Sequence, residues 1–391
     1  MAEHALFYTL REAARRLPES GIVEVVNYGR ERPGLIPLWV GEGDLPTPAF
    51  IQDATVAALR EGHTFYTYQR GIPALREAIA DYYARHYEFP LDWQRVIVTG
   101  SGMQGIMSTM QALVGADDEV VVVSPVWPNV YAAVELQEAR WVPVTLDYTP
   151  HGWSLDLDKL FDAVTPRTRA LFINSPGNPT GWVLSEAEML AIRDFARQRG
   201  LWLVADEVYG RFVYDRPRMH SFLEIMEPEE PLVVCNTFSK NWSMTGWRVG
   251  WVVIPAVLGQ LYENLVQYNT SGTARFIQAG ALAAIRDGDG YVAELVERCR
   301  QGRDIVCGML GQLPNVRFAA PAGAFYLFFQ VEGEPDGVRL AKRLVDEANV
   351  GLAPGLAFGP GGERFLRLCF AASHATLEAG VERLVAALRP R

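Results

Sequence analysis

Residues 232–255 read LVVCNTFSKNWSMTGWRVGWVVIP. Two apolar, β-branched runs, LVVCNTFS (232–239) and WRVGWVVIP (247–255), bracket a short segment of hydroxyls and aromatics that carries Lys240. That lysine is one of three in a chain with 33 arginines, and no acidic residue stands within nine positions of it. Lys159 in LDLDKLFDAV and Lys342 in VRLAKRLVDEA sit instead on helix-like stretches rich in charge, where a solvated surface role is the plain reading. Burial among apolar groups disfavours the ammonium form, and a neutral lysine is a nucleophile able to form a Schiff base with a carbonyl. Codon usage that favours arginine would also leave a lone lysine, so Lys240 acquires meaning only from its surroundings.

Outward from this segment, residues 95 to 255 alternate short β-branched runs with longer helix-periodic ones, the pattern of βα units in a mostly parallel sheet. The strand runs are VIVT (96–99), EVVVVSP (119–125), WVPVTL (141–146), ALFINSP (170–176), LWLVADEVY (201–209) and the two quoted above. VVVV at 120–123 reads as buried on both faces. Between them, Ser185 and Glu188 in SEAEMLAIRDFARQRG form a capping-box pattern, with Gly200 as the stop. After residue 285 the texture changes to helical stretches at 291–313, 336–348 and 375–388 and strand runs AFYLFFQV and FLRLCFA. The expected fold is α/β: a seven-stranded, mostly parallel sheet flanked by helices over residues 49–285, a smaller α+β domain over 286–391, and residues 1–48 packed on that smaller domain.

The chain has 391 residues, 49% of them apolar, and a net charge of −10, which argues against a general binder of nucleic acid or anionic membrane. Any phosphate site must therefore be local. Cysteines 235, 299, 307 and 369 form no CxxC pair and the six histidines are scattered, so neither a metal site nor a disulfide framework is expected. The N-terminal stretch mixes charges with Leu6, Leu10, Ala13, Ala14 and Leu17, unlike a secretion signal, and no apolar run reaches membrane-spanning length; a cytoplasmic protein is expected.

Ligands of open α/β sheets collect at the carboxyl ends of the strands. Ser101, Gly102, Trp127, Asn178, Asp206, Tyr209 and Lys240 all follow or close strand runs there. In this order and spacing, SKxxxMTGWRxG (239–250), NPTG (178–181) and DEVY (206–209) resemble the aspartate aminotransferase family, fold type I enzymes dependent on pyridoxal 5′-phosphate. The resemblance covers about residues 36 to 388.

The resemblance implies a role for each matching residue. Lys240 is the Schiff-base lysine and the shuttle for the substrate's Cα proton, and Asp206 is the carboxylate that keeps the pyridine nitrogen protonated. Tyr209 and Asn178 bond the phenolic oxygen, and Trp127 stacks on the ring. The phosphate falls to the amides of Ser101, Gly102 and Met103, the hydroxyls of Ser101, Thr237 and Ser239, and Arg248. Tyr66 matches a tyrosine that reaches the phosphate in the neighbouring subunit, which implies a homodimer with shared sites. Arg367, rather than nearby Arg364, matches the arginine that grips the substrate α-carboxylate, and Gly41 the loop that closes over it. GEGDLPTP in place of the frequent GEPDFPTP, Asn241–Trp242 after the lysine, and Phe370 where tyrosine is common depart from the pattern without removing a catalytic group. Trp39, Trp242, Tyr326 and Arg275 carry no assignment.

The implied activity is transfer of an amino group from an L-amino acid to a 2-oxo acid by a ping-pong cycle. A carbon–sulfur β-lyase, a decarboxylase or a cyclopropane-forming synthase would use the same residues. A transcription-regulator sensor would need a DNA-binding module, for which the roughly 35 residues ahead of the resemblance are too few.

Overall fold

The computed structural model describes residues 5–390. Seven strands form one sheet: β1 (Val96–Thr99), β2 (Glu119–Ser124), β3 (Arg140–Thr145), β4 (Thr168–Asn174), β5 (Trp202–Asp206), β6 (Leu232–Thr237) and β7 (Gly250–Val253). Their spatial order is β1-β7-β6-β5-β4-β2-β3, and β7 runs antiparallel to both its neighbours while the other pairs are parallel. The VVVV run shows why alternation is invisible in the sequence. Val121 and Val123 enter the core on one face, Val120 and Val122 the core on the other. Helices cover both faces, so both must be apolar.

At β5, β6 and β7 a local turn, cap or left-handed residue interrupts the ladder inside the apolar run. β5 stops at Asp206, whose carboxylate accepts from the Val208 amide while Gly210 N–H turns back to Glu207. β6 stops at Thr237, whose hydroxyl caps the one-turn helix Phe238–Asn241. β7 starts only at Gly250, after a 3₁₀ turn over Thr245–Trp247 and Arg248 in the left-handed region at φ 55°. The helix Glu186–Arg199 carries the reciprocal Ser185–Glu188 capping box, with Gly200 at φ 66° beyond it.

A second, antiparallel sheet joins Val316–Phe318, Tyr326–Val331, Phe365–Cys369 and Ala353–Pro354. Its core includes residues of the helices Asp289–Leu310, Gly337–Ala348 and His374–Leu388, and also Val25, Leu38 and Trp39 from the N-terminal segment. Val208, Tyr209 and Phe212, just past β5, join this core too and bind the two sheets together.

Gly250 pairs with Thr99 on one side and Thr237 on the other, so it lies level with the carboxyl ends of β1 and β6. A Cβ there would stand 2.6 Å from Gly102 N and 2.8 Å from Asn236 O, main-chain atoms that no rotamer change can move. Gly250→Ala should therefore lower stability by about 1–3 kcal/mol in a urea titration. Gly115→Ala, with nothing within 4 Å of the new carbon, should stay within about 0.5 kcal/mol of the parent.

Candidate functional site

A cavity of about 340 Å³ opens at the carboxyl ends of the strands. The helix Gly102–Leu113 begins directly after β1 and aims its N-terminus at this cavity, where Gly102 and Met103 are lining residues. First-turn amides have no partner within their own helix. The Ser101 hydroxyl caps this helix, accepting from Gln104 N at 3.0 Å, and Ser101 is not among the residues that line the cavity. Beside this N-terminus, Thr237 Oγ1 donates to Ser239 Oγ at 3.0 Å, and Arg248, strained at positive φ, donates to Thr245 O. Amides, hydroxyls and a guanidinium thus converge at one end.

Lys240 sits on the one-turn helix after β6, with Nζ donating to Gly41 O at 2.7 Å and lying 5.8 Å from the centre of the Tyr209 ring. Desolvation lowers its ammonium pKa to about 8; Arg367 reinforces the shift, while Cys369, Glu42 and Asp206 oppose it. Asp206 closes β5, is 3% exposed, and its carboxylate accepts a hydrogen bond from Val208 N at 3.3 Å. Burial raises its carboxyl to about 7, against the pull of that amide and of Lys240. Among the described residues no cation pairs with it. Tyr209 is buried with its Oη 2.7 Å from Tyr326 Oη.

Arg367 lies on the strand Phe365–Cys369 and is 2% exposed. Its Nη1 donates to Asn178 Oδ1 at 2.9 Å, its Nη2 donates to Trp39 O, and its guanidinium stacks 4.5 Å from the Tyr326 ring centre and 4.7 Å from that of Phe358. Nε has no partner, and no carboxylate forms an ion pair with this arginine among the described residues. Arg364, the rival in sequence, is exposed. Gly41 packs so tightly that a Cβ would stand 2.4 Å from Tyr326 Oη.

Twelve of the fourteen residues singled out in the sequence therefore line one cavity: Gly41, Gly102, Met103, Trp127, Asn178, Asp206, Tyr209, Thr237, Ser239, Lys240, Arg248 and Arg367. Ser101, which adjoins the lining residue Gly102, and Tyr66, which is 90% exposed, do not line it. Asn174 was not anticipated. Its Oδ1 accepts from Asn178 N at 2.8 Å and its Nδ2 donates to Asp206 O at 3.1 Å, so it ties two predicted residues together. A second asparagine four positions ahead of NPTG was the available signal. Ile22, Val40 and Tyr326 also line the cavity, whereas Trp242 is a core residue packed on Phe238.

The family model of aminotransferase class I and II matches residues 35–384. This chain belongs to the class I and II aminotransferases. It is similar to a probable aspartate/prephenate aminotransferase of Aquifex aeolicus, 34% identical over 97% of this chain and 95% of the relative. It is also similar to an aromatic-amino-acid aminotransferase of Thermococcus litoralis, 33% identical over 92% of each. The crystal structure of the aspartate aminotransferase from Rhizobium meliloti superposes with a TM-score of 0.90 at 28% identity, covering 97% of this chain and 98% of the other. The fold is thus that of the fold type I enzymes, and the protein is a pyridoxal-phosphate-dependent aminotransferase acting on amino and oxo acids.

The residues present fit that coenzyme. A buried carboxylate without a cation suits a protonated pyridine nitrogen, a lysine with a lowered pKa suits an aldehyde, and helix amides with hydroxyls and a guanidinium suit a phosphate. The three lysines allow a direct test of the desolvation argument. Lys159 and Lys342 are ion-paired at 2.8 Å and 2.6 Å with Asp147 and Glu24, which raises their pKa values, whereas that of Lys240 is lowered. In coenzyme-free protein treated with formaldehyde and borohydride, methylation of Lys240 should rise with a pH midpoint of about 8. Lys159 and Lys342 should lag at that pH when the three are quantified by mass spectrometry.

Proposed function

We propose that Lys240 anchors the coenzyme covalently and carries the proton that leaves the substrate's Cα, in a ping-pong exchange between an L-amino acid and a 2-oxo acid. The observation that carries this reading is the convergence of Lys240, Asp206, Tyr209, Asn178 and Arg367 on one cavity, from segments up to 189 residues apart in the Asn178–Arg367 hydrogen bond. When bound, the coenzyme supplies an aldehyde that takes up amines and a cationic ring that accepts the electrons of the broken Cα–H bond. Asp206 holds the proton on the ring nitrogen. Tyr209 and the Asn178 amide donate to the phenolic oxygen; Asn178 Oδ1 is already committed to Arg367, which leaves Nδ2 for that purpose. Trp127 covers the ring, and Gly102, Met103, Thr237, Ser239 and Arg248, with Ser101 capping the helix, hold the phosphate. Arg367 grips the α-carboxylate beside Gly41, and its unpartnered Nε marks it as short of an anion.

The reading includes a homodimer. Phe65, Tyr66, Tyr68 and Tyr268 are 81%, 90%, 63% and 86% exposed, and a Gln69–Gln267 hydrogen bond of 2.8 Å sets the two segments side by side, which supports an apolar face for a second copy whose phosphate Tyr66 would reach. It also includes residues 49–285 as the coenzyme-binding domain and 286–391 as the smaller domain carrying segment 1–48, supported by two cores that divide near this boundary apart from Val208, Tyr209, Phe212 and Val292. Four free thiols support a reducing, cytoplasmic setting.

Borohydride treatment of coenzyme-loaded protein should fix the coenzyme on Lys240, and Lys240→Ala should abolish both the fixation and turnover; a label found on another residue would remove Lys240 from its role. With a panel of amino acids in single turnover, transfer requires one equivalent of 2-oxo acid with the amino group retained by the enzyme, whereas free ammonia would mean a lyase. Arg367→Ala should raise KM for the amino acid by about 100-fold or more, since a buried charge partner is lost, while coenzyme content stays near that of the parent.

A further inference from the structure

Tyr326 lies on the second sheet and Tyr209 in the turn after β5, yet their hydroxyl oxygens are 2.7 Å apart and their rings meet edge to face with centres 5.7 Å apart. Both line the cavity, and both are buried, at 0% and 2% exposure. Two hydroxyls own two protons, and the bond between them uses one. The second proton belongs to whichever tyrosine accepts, and that tyrosine is the one able to donate to a bound ligand. Lys240 Nζ lies 5.8 Å from the Tyr209 ring centre, but as the lysine proposed to join the coenzyme it carries no free ammonium in the loaded enzyme, which leaves Arg367 to decide between the two. Its guanidinium stacks 4.5 Å from the Tyr326 ring centre and makes no such contact with Tyr209, so its positive charge makes Tyr326 the better donor.

We infer that Tyr326 is a positioning residue: it donates its hydrogen bond to Tyr209 and thereby turns the Tyr209 proton into the cavity, toward the phenolic oxygen of the coenzyme. The inference rests on the placement of Tyr209 proposed above. A hydroxyl that accepts a hydrogen bond is itself a stronger donor. Stronger donation to the phenolic oxygen lowers the proton affinity of the lysine nitrogen joined to the coenzyme. The same hydroxyl explains Gly41, since any side chain there would collide with it.

The test is a pH titration of the visible absorption of the coenzyme-loaded enzyme, without substrate, for the parent, Tyr209→Phe, Tyr326→Phe and the double variant. Tyr326→Phe keeps the ring and its stacking on Arg367 and removes only the hydroxyl. Tyr209→Phe should raise the midpoint, Tyr326→Phe should raise it by about half a pH unit, and the double variant should match Tyr209→Phe alone. No shift in Tyr209→Phe would sink the placement of Tyr209 itself. A shift there with none in Tyr326→Phe, or a Tyr326→Phe shift that persists in full in the double variant, would overturn only the present inference. So would a Tyr326→Phe variant whose sole change is a higher KM for the amino acid, because Tyr326 would then contact the substrate. 3-Fluorotyrosine at position 326, a more acidic phenol of nearly the same shape, gives an independent reading: the midpoint should fall, and an unchanged midpoint would count against the relay.

Discussion

Three hydrogen bonds in series cross the floor of the cavity: Arg367 Nη1 to Asn178 Oδ1, Asn178 N to Asn174 Oδ1, and Asn174 Nδ2 to Asp206 O. Every residue in the line is at most 5% exposed. In such surroundings a polar group left unpaired is costly, so the line holds its members in one arrangement. It joins the second sheet, which carries Arg367, to the ends of β4 and β5 in the first. The two oppositely charged ends of the site are thereby set at a fixed separation before any ligand arrives, and preorganisation of this kind is the main contribution a protein makes to cofactor chemistry.

The rest of the site hangs on this frame. Gly41 is held between Lys240, which donates to its carbonyl, and Tyr326, whose hydroxyl excludes a side chain. Tyr326 in turn lies beneath Arg367 and against Tyr209. The N-terminal segment therefore reaches the cavity as part of the second core, through Trp39, rather than as a free arm over it. Motion of one sheet against the other would disturb Arg367, Tyr209 and Lys240 together, which makes the packing of Val208, Tyr209 and Phe212 in the second core a condition for chemistry as well as for stability.

The strands were legible because most are short β-branched runs between helix-periodic stretches, and the candidate site because Lys240 and Asp206 follow or close such runs while SKxxxMTGWRxG, NPTG and DEVY resemble one family. VIVT matches β1 at both ends, but several other strand ends were not legible. The apolar run past Asp206 continues into Val208 and Tyr209, but the side-chain bond from Asp206 to the Val208 amide ends the ladder, and neither residue alone signals it. Ser101 illustrates the same limit: its position at a helix start was readable, while the use of its hydroxyl as a cap depends on Gln104. Asn174 and Tyr326 escaped assignment because their partners are 32 and 117 residues away. A relation of that kind exists only once the fold has formed.

The electrostatics of the coenzyme-free chain follow from the same burial. Asp206 is raised from its ordinary 3.8 to about 7, so its stabilising contribution, present at low pH where it is protonated, is lost as pH rises through about 7. Lys240 is lowered from 10.5 to about 8, so the folded state disfavours its charged form and regains stability only as pH rises from about 8 toward 10.5. Between about 7 and 8 both groups are therefore near their least comfortable state, a buried carboxylate and a buried ammonium that attract each other but form no ion pair. A ligand that brings a cationic nitrogen to Asp206 and consumes the lysine as a neutral amine removes both penalties at once. In the roles proposed for Lys240 and Asp206, the burial that shifts both groups would also favour the coenzyme, in the pH range where an amine must be neutral to react.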